Sequence, residues 1–201
     1  MKMLEGKMKT IISDADEIAQ FSWIAKWAID CGTGWRLHGL GMIQNYLPSG
    51  DRIHIWHPQL SIANKDISAH SHRFDMESYV LCGAITHEEV TLFPGEEYRI
   101  INQYAHHYEE TNETTNIETH FMRIVAGQKY FFPKGTYHIG GVEDFAITYI
   151  KRFNISGISH SLTKVGSKTI SGRGEESQKE IKSSNEDIIK EILSVAKQKL
   201  F

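Results

Sequence analysis

Ala69-His70-Ser71-His72-Arg73-Phe74-Asp75-Met76-Glu77, answered downstream by the segment from Gly127 to His138, is the stretch on which the reading of this chain turns. Side chains two apart in a strand point the same way, so His70 and His72 present their imidazoles side by side. Glu77 follows after a four-residue gap, room for the chain to turn and return a carboxylate, and Glu77, Tyr79 and Leu81 then share a face of the next strand. Asp75 is the rival acid and is expected in the turn itself. The second half runs from Gly127 through five residues to Pro133-Lys134-Gly135, then two more residues to His138. Proline and glycine fix a tight turn that delivers the histidine onto a strand. Together the two halves read as a metal site.

Around them the texture is β. From Trp35 onward, short segments rich in β-branched and aromatic residues are broken by Gly, Pro, Asn and Asp. Strands are expected at Leu37 to Leu47, interrupted by Gly39 and Gly41; at Arg52 to His57, with Ile53 and Ile55 opposite His54 and Trp56; and at Tyr79 to Ala84, His87 to Phe93 and Glu97 to Asn102. Further strands fall at Phe121 to Val125, Gln128 to Phe132, Thr136 to Ile139 and Phe145 to Phe153. No helical pattern long enough for a crossover separates them, so the sheets are expected to be antiparallel and closed as a sandwich or barrel. Tyr104 to Thr119 is polar and acidic and reads as a long loop or a poorly ordered hairpin; Ser161 to Ser184 has the composition of a flexible surface segment.

Amphipathic helices flank the β region. Residues 14 to 31 place Ile18, Phe21, Ile24, Ala25, Ala28 and Ile29 at helical spacing between a Ser13-Asp14-Ala15-Asp16 cap and acidic first turn and a Gly32 stop, with Trp23 and Trp27 packing on the body or on a dimer mate. A second helix opens at Asn185-Glu186-Asp187 and carries Lys197 and Lys199 at its end, as the helix dipole prefers. The expected division is a helical extension over 1–34, a β-barrel over 35–154, and a polar linker with a helix over 155–201.

A net charge of −3 with dispersed basic residues gives no footprint for nucleic acid or anionic membranes. Small molecules are the expected partners. Neither an apolar signal core nor a spanning run is evident, so the cytoplasm is the expected location, and two cysteines, Cys31 and Cys82, make no disulfide framework. Two terminal helices and open sheet edges suggest a homodimer.

The histidine and glycine spacings resemble the two signature motifs of the cupin superfamily, whose first motif reads His-x-His, three or four residues, Glu, and later Gly, and whose second reads Gly, five residues, Pro-x-Gly, two residues, His. The resemblance covers roughly residues 35 to 153. It implies an antiparallel jelly-roll barrel, with His70, His72, Glu77 and His138 at the positions of the family's metal ligands. Asn64 stands where the motif has its first glycine, Gly83 comes one residue early, and Val142 replaces a terminal asparagine. These departures mark a divergent member.

Three imidazoles and a carboxylate suit iron(II), manganese, nickel, cobalt or zinc and poorly suit calcium or magnesium. The resemblance favours iron and an iron-dependent oxygenase. A metal-dependent isomerase or lyase, and a non-catalytic small-molecule sensor, are the alternatives. Thiol dioxygenases are cupins that use three histidines without the glutamate, so Glu77 argues against that subclass. Tyr137 and His87 are the candidate acid-base residues; Phe74, Tyr79, Tyr130, Phe132, Tyr137 and Tyr149 form a pool of substrate contacts, and Arg73 and Arg123 are candidate anion binders. His54 and His57 read as surface or core-edge histidines, with an approach to the site as the alternative.

Overall fold

A computed structural model describes residues 9–38, 40–60, 69–104, 107–166 and 185–200. Its elements, in chain order, are β1 (Lys9–Ile12), α1 (Ala15–Cys31), β2 (Trp35–His38), β3 (Met42–Tyr46), β4 (Arg52–Trp56), β5 (Asp75–Gln103), β6 (Tyr108–Val125), β7 (Gln128–Phe132), β8 (Tyr137–Phe153), β9 (Ser159–Lys164) and α2 (Asn185–Leu200), with a 3-10 turn at Pro58–Leu60. Every strand pairing is antiparallel, in the order β1-β7-β5-β8-β4-β3-β2, with β6 and β9 also paired to β5. The mainly β, antiparallel architecture with a helix from each end of the chain is the one expected; the sheet is curled into a half-barrel.

Strand β5 is the spine. Three expected strands, at 79–84, 87–93 and 97–102, are one strand of 29 residues that pairs in turn with β7, β8, β6 and β9. One irregularity in it matters for the site. Val80 pairs with Thr148 and Cys82 with Ile147, which leaves Leu81 as an extra residue. A bulge of this kind reverses which alternate side chains face inward. Met76 and Val80 lie in the inner apolar cluster before it, and Ile85 lies there after it. Gly83, beside the bulge, has φ 73°, and a Cβ there would meet the Phe145 carbonyl oxygen at 1.9 Å.

Helix α1 starts where expected. Asp14 caps it by accepting from the Asp16 and Glu17 amides, and Gly32, in the left-handed region at φ 67°, ends it. Phe21, Ala25, Ala28 and Ile29 of α1 pack with Ile192, Leu193 and Ala196 of α2 over Ile43, Ile53, Ile55, Tyr79 and Tyr149. Both helices therefore cover the outer face of the chain's own sheet, and each fully buried isoleucine in this layer contributes on the order of 1.5–3 kcal/mol. Trp23 and Trp27 are exposed and do not pack on the body.

Other segments also differ from expectation, and the strands expected at Thr136 to Ile139 and Phe145 to Phe153 are one strand, β8. In place of one interrupted strand over 37–47, β2 and β3 pair as antiparallel neighbours, with Gly41 at φ 87° just before β3. The acidic segment 104–119 is mostly strand: β6 pairs with β5, and Thr111 and Thr115 hydroxyls donate to the Ile100 and Phe93 carbonyls, so its polarity reflects exposed faces of a hairpin. Ser159–Lys164 is a strand on β5, since Leu162 is fully buried against Ala69 and Val90; the rest of the segment expected to be flexible, from 167 to 184, lies outside the described residues. Among the described residues, no helix is long and apolar enough to cross a membrane.

Candidate metal centre

His70 and His138 are joined through their backbones. The His70 amide donates to the His138 carbonyl at 3.0 Å and the His138 amide donates back at 2.9 Å, an isolated antiparallel bridge that sets the two residues opposite each other. The flanks are pinned as well: the Ser71 amide donates to the His160 carbonyl at 2.8 Å and the Leu162 amide to Ala69 at 2.9 Å. The Pro133-Lys134-Gly135 turn works as expected. Gly135, at φ 82°, donates its amide to the His72 carbonyl at 2.9 Å, so one turn fixes His72 and starts the strand that carries His138.

These constraints bring three imidazoles together. One ring nitrogen from each of His70, His72 and His138 lies within 4.8 Å of the others. Ring centroids are 4.4 Å apart for His70 and His138, 4.9 Å for His70 and His72, and 5.0 Å for His72 and His138. Aromatic planes hold two of them, Phe74 stacked on His72 at 4.7 Å and Phe132 on His138 at 4.5 Å. Burial holds His72 and His138 well below the ordinary histidine range, so both present neutral rings, the form that binds metals. The buried His138 Nδ1 has no protein partner. Three imidazole nitrogens around one point, two of them on rings that burial keeps neutral, fit a divalent transition metal.

The expected carboxylate is elsewhere. Glu77 accepts from the Tyr79 hydroxyl at 2.7 Å and pairs with Lys129 Nζ at 3.3 Å, in a cluster that includes Glu17 of α1. Neighbouring Met76 lines the inner cavity, and strand alternation turns Glu77 to the helix side. Asp75 is not in the turn but opens β5, paired with Phe153; it accepts from the Lys134 amide at 2.8 Å and from Asn154 Nδ2 at 2.6 Å.

The histidines open onto a cavity of about 230 Å³. Its wall includes His54, Trp56, Met76, His87 and Tyr130, with Arg52, Arg73 and Arg152 also lining it. His87 is where the sequence suggested, beside the site, with its ring 5.5 Å from that of His138. The bulge in β5 turns it inward. It is 2% exposed, neither ring nitrogen has a partner, and burial pushes it down to about 3. A group so reluctant to take a proton is a hydrogen-bonding residue at neutral pH, not a cationic acid.

Tyr137 does not join the site. Adjacent to His138 on β8, it points the other way, packs beside Ala69, Val90 and Leu162, and lies 6.2 Å from the His160 ring. Tyr79 and Tyr149 belong to the layer under the helices. Arg123 pairs with Glu143 at the surface, and His57 lies against Phe145, 6.3 Å between ring centroids. His54 lines the cavity, with both ring nitrogens buried and unpartnered. Arg52 and Arg152 are among the lining residues that spacing did not single out; the alternation of β4, which put Ile53 and Ile55 opposite His54 and Trp56, also sends Arg52 to the cavity side.

No protein-family model matches the chain, nor does the sequence of any curated protein. Among solved structures it is similar to E. coli ycfD, with 16% identity and a TM-score of 0.34 over 55% of this chain and 28% of that one. It is similar to vicilin from hazelnut, Corylus avellana, with 13% identity and a TM-score of 0.26 over 72% of this chain and 39% of that one. A third similar structure is the non-heme alpha-ketoglutarate-dependent epimerase SnoN from nogalamycin biosynthesis, with 11% identity and a TM-score of 0.32 over 71% of this chain and 76% of that one. The chain thus spans well under half the length of the first two.

Proposed function

We propose that this protein is a metal-dependent enzyme of cupin type acting on a small molecule, and that its chemistry is that of an iron-dependent oxygenase. The observation that carries the proposal is the convergence of His70, His72 and His138 on one point at the wall of a cavity. Iron(II) is the favoured ion; manganese, nickel, cobalt and zinc accept the same donors. When bound by three protein nitrogens, such a metal supplies a Lewis acid with open positions for substrate and dioxygen.

The chain's own residues do the rest. The His70–His138 backbone bridge and the rings of Phe74 and Phe132 hold the imidazoles in place before anything binds, which lowers the ordering cost of capture. Trp56, Met76 and Tyr130 give the cavity an apolar wall that excludes water from the substrate. His87 and His54, neutral and without protein partners, orient the substrate through one donor and one acceptor each. Since Glu77 faces the helices, the ligand set proposed is the three histidines, and the glutamate no longer argues against the three-histidine thiol dioxygenases. The test is oxygen consumption by the iron-loaded protein across a panel of small metabolites, thiols included. Substrate-dependent uptake that disappears in His138→Ala supports an oxygenase; conversion of substrate without oxygen uptake contradicts it.

A further inference from the structure

The polar wall of the cavity is one-sided in charge. Among the described residues that line it there are three arginines, Arg52, Arg73 and Arg152, and no aspartate or glutamate. Arg73 is exposed at the rim, whereas Arg52 and Arg152 are half-buried. Strand pairing brings those two to the same place: Arg52 of β4 lies opposite Ile150, two residues before Arg152 on β8.

Both guanidinium groups rest on the same pair of rings. Arg52 Cζ is 4.6 Å from the Tyr46 ring centroid and 5.6 Å from that of Phe74; Arg152 Cζ is 5.7 and 5.4 Å from them. The Arg152 Nε also donates to the Gly50 carbonyl at 2.8 Å. Aromatic faces cover the guanidinium planes, and oxyanions are recognised by the edges. Deeper in, His54 and His87 are 8% and 2% exposed, and none of their four ring nitrogens has a partner. Buried polar groups left without partners are costly unless a ligand satisfies them. Arg52 is among the charges that hold His54 neutral, after burial itself.

We propose that the cavity binds a small organic anion, its carboxylate or phosphate group held between Arg52 and Arg152 and its polar body hydrogen-bonded by His54 and His87. A volume of about 230 Å³, equal to roughly seven or eight molecules of liquid water, suits a compact metabolite acid. The inference rests on the proposed metal centre only for which end of the ligand faces His70, His72 and His138; anion binding itself needs no metal.

The experiment is calorimetric titration of the metal-free protein with succinate, with inorganic phosphate, and with the neutral isostere succinamide. Succinate or phosphate is expected to bind and succinamide not; the tighter of the two anions identifies the acid group. Arg52→Gln and Arg152→Gln should each weaken binding about ten-fold or more, and Arg52→Lys and Arg152→Lys, which keep the charge and the fold, should recover part of it. His54→Leu should weaken binding several-fold with both arginines intact. Absence of binding by either anion, equal binding of succinate and succinamide, or wild-type affinity in the two glutamine variants overturns the proposal. His138→Ala separates the two claims, because it should lose metal and keep the anion.

Discussion

The Tyr79 hydroxyl donates to Glu77 Oε2 at 2.7 Å, and this contact ties the motif's carboxylate to the helix side of β5. Glu17 Oε1 lies 3.1 Å from the same hydroxyl, and Lys129 reaches both acids, at 3.0 and 3.3 Å. The four side chains form one network that fastens α1 to the sheet. Metal binding and this network are therefore separable by mutation.

Glu77→Gln is predicted to leave metal stoichiometry unchanged, whereas His70→Ala, His72→Ala and His138→Ala each remove the ion. The glutamine should cost about 1 kcal/mol of stability, because a largely buried ion pair is lost while the hydrogen bond from Tyr79 survives in weaker form. Metal content per chain, with denaturant unfolding beside it, distinguishes the two effects.

The same network has a pH signature. The hydrogen bond from Lys129 holds Glu17 below its ordinary value of 4.5, with burial opposing it and the Tyr79 hydroxyl assisting. A depressed carboxyl contributes stability above its unfolded value and loses it as pH falls through the folded one. The stability difference between wild type and Glu17→Gln should be largest at neutral pH and shrink once the pH drops below 4.5. Melting temperatures from pH 7 to pH 3 check this; a difference that grows on acidification would contradict it.

Gly83→Ala is predicted to destabilise by about 3 kcal/mol, since the residue combines a positive φ with a Cβ position inside the Phe145 carbonyl. The variant should also lose cavity function out of proportion to its stability, because the neighbouring bulge is what turns His87 inward. Urea unfolding together with metal content and anion titration measures both consequences.

His87→Leu should raise the stability of the metal-free protein by about 1 kcal/mol, as an apolar group replaces two unpartnered nitrogens. Turnover or ligand affinity should fall in the same variant, the expected exchange of function for stability.

Much of this was legible in the sequence. The histidine pair, the Pro133-Gly135 turn and His138 were fixed by spacing, because a turn between two strands has few ways to place its ends. Helix α1 announced both ends through Asp14 and Gly32. Glu77 was misplaced because its face depends on whether the chain turns between His72 and Asp75 or keeps alternating, and one residue of difference moves a side chain to the other side. Tyr137 is one residue from His138 on β8, so plain strand alternation turns it away from the site. The Leu81 bulge, which decides that His87 faces the cavity, leaves only Gly83 as a trace. Strand β6 was hidden by its polarity: a hairpin with exposed faces looks like a loop in composition. The arginine pair needs β4 and β8 side by side, a long-range fact that no local pattern contains.

The central claim is that His70, His72 and His138 hold a transition metal. Its most direct test is elemental analysis of tag-free protein purified without oxygen, with His72→Ala and His138→Ala as controls. About one equivalent of a divalent transition metal per wild-type chain, absent from both variants, is the predicted result; a wild-type protein that carries none, and takes up none when iron(II) or zinc is supplied, would contradict it.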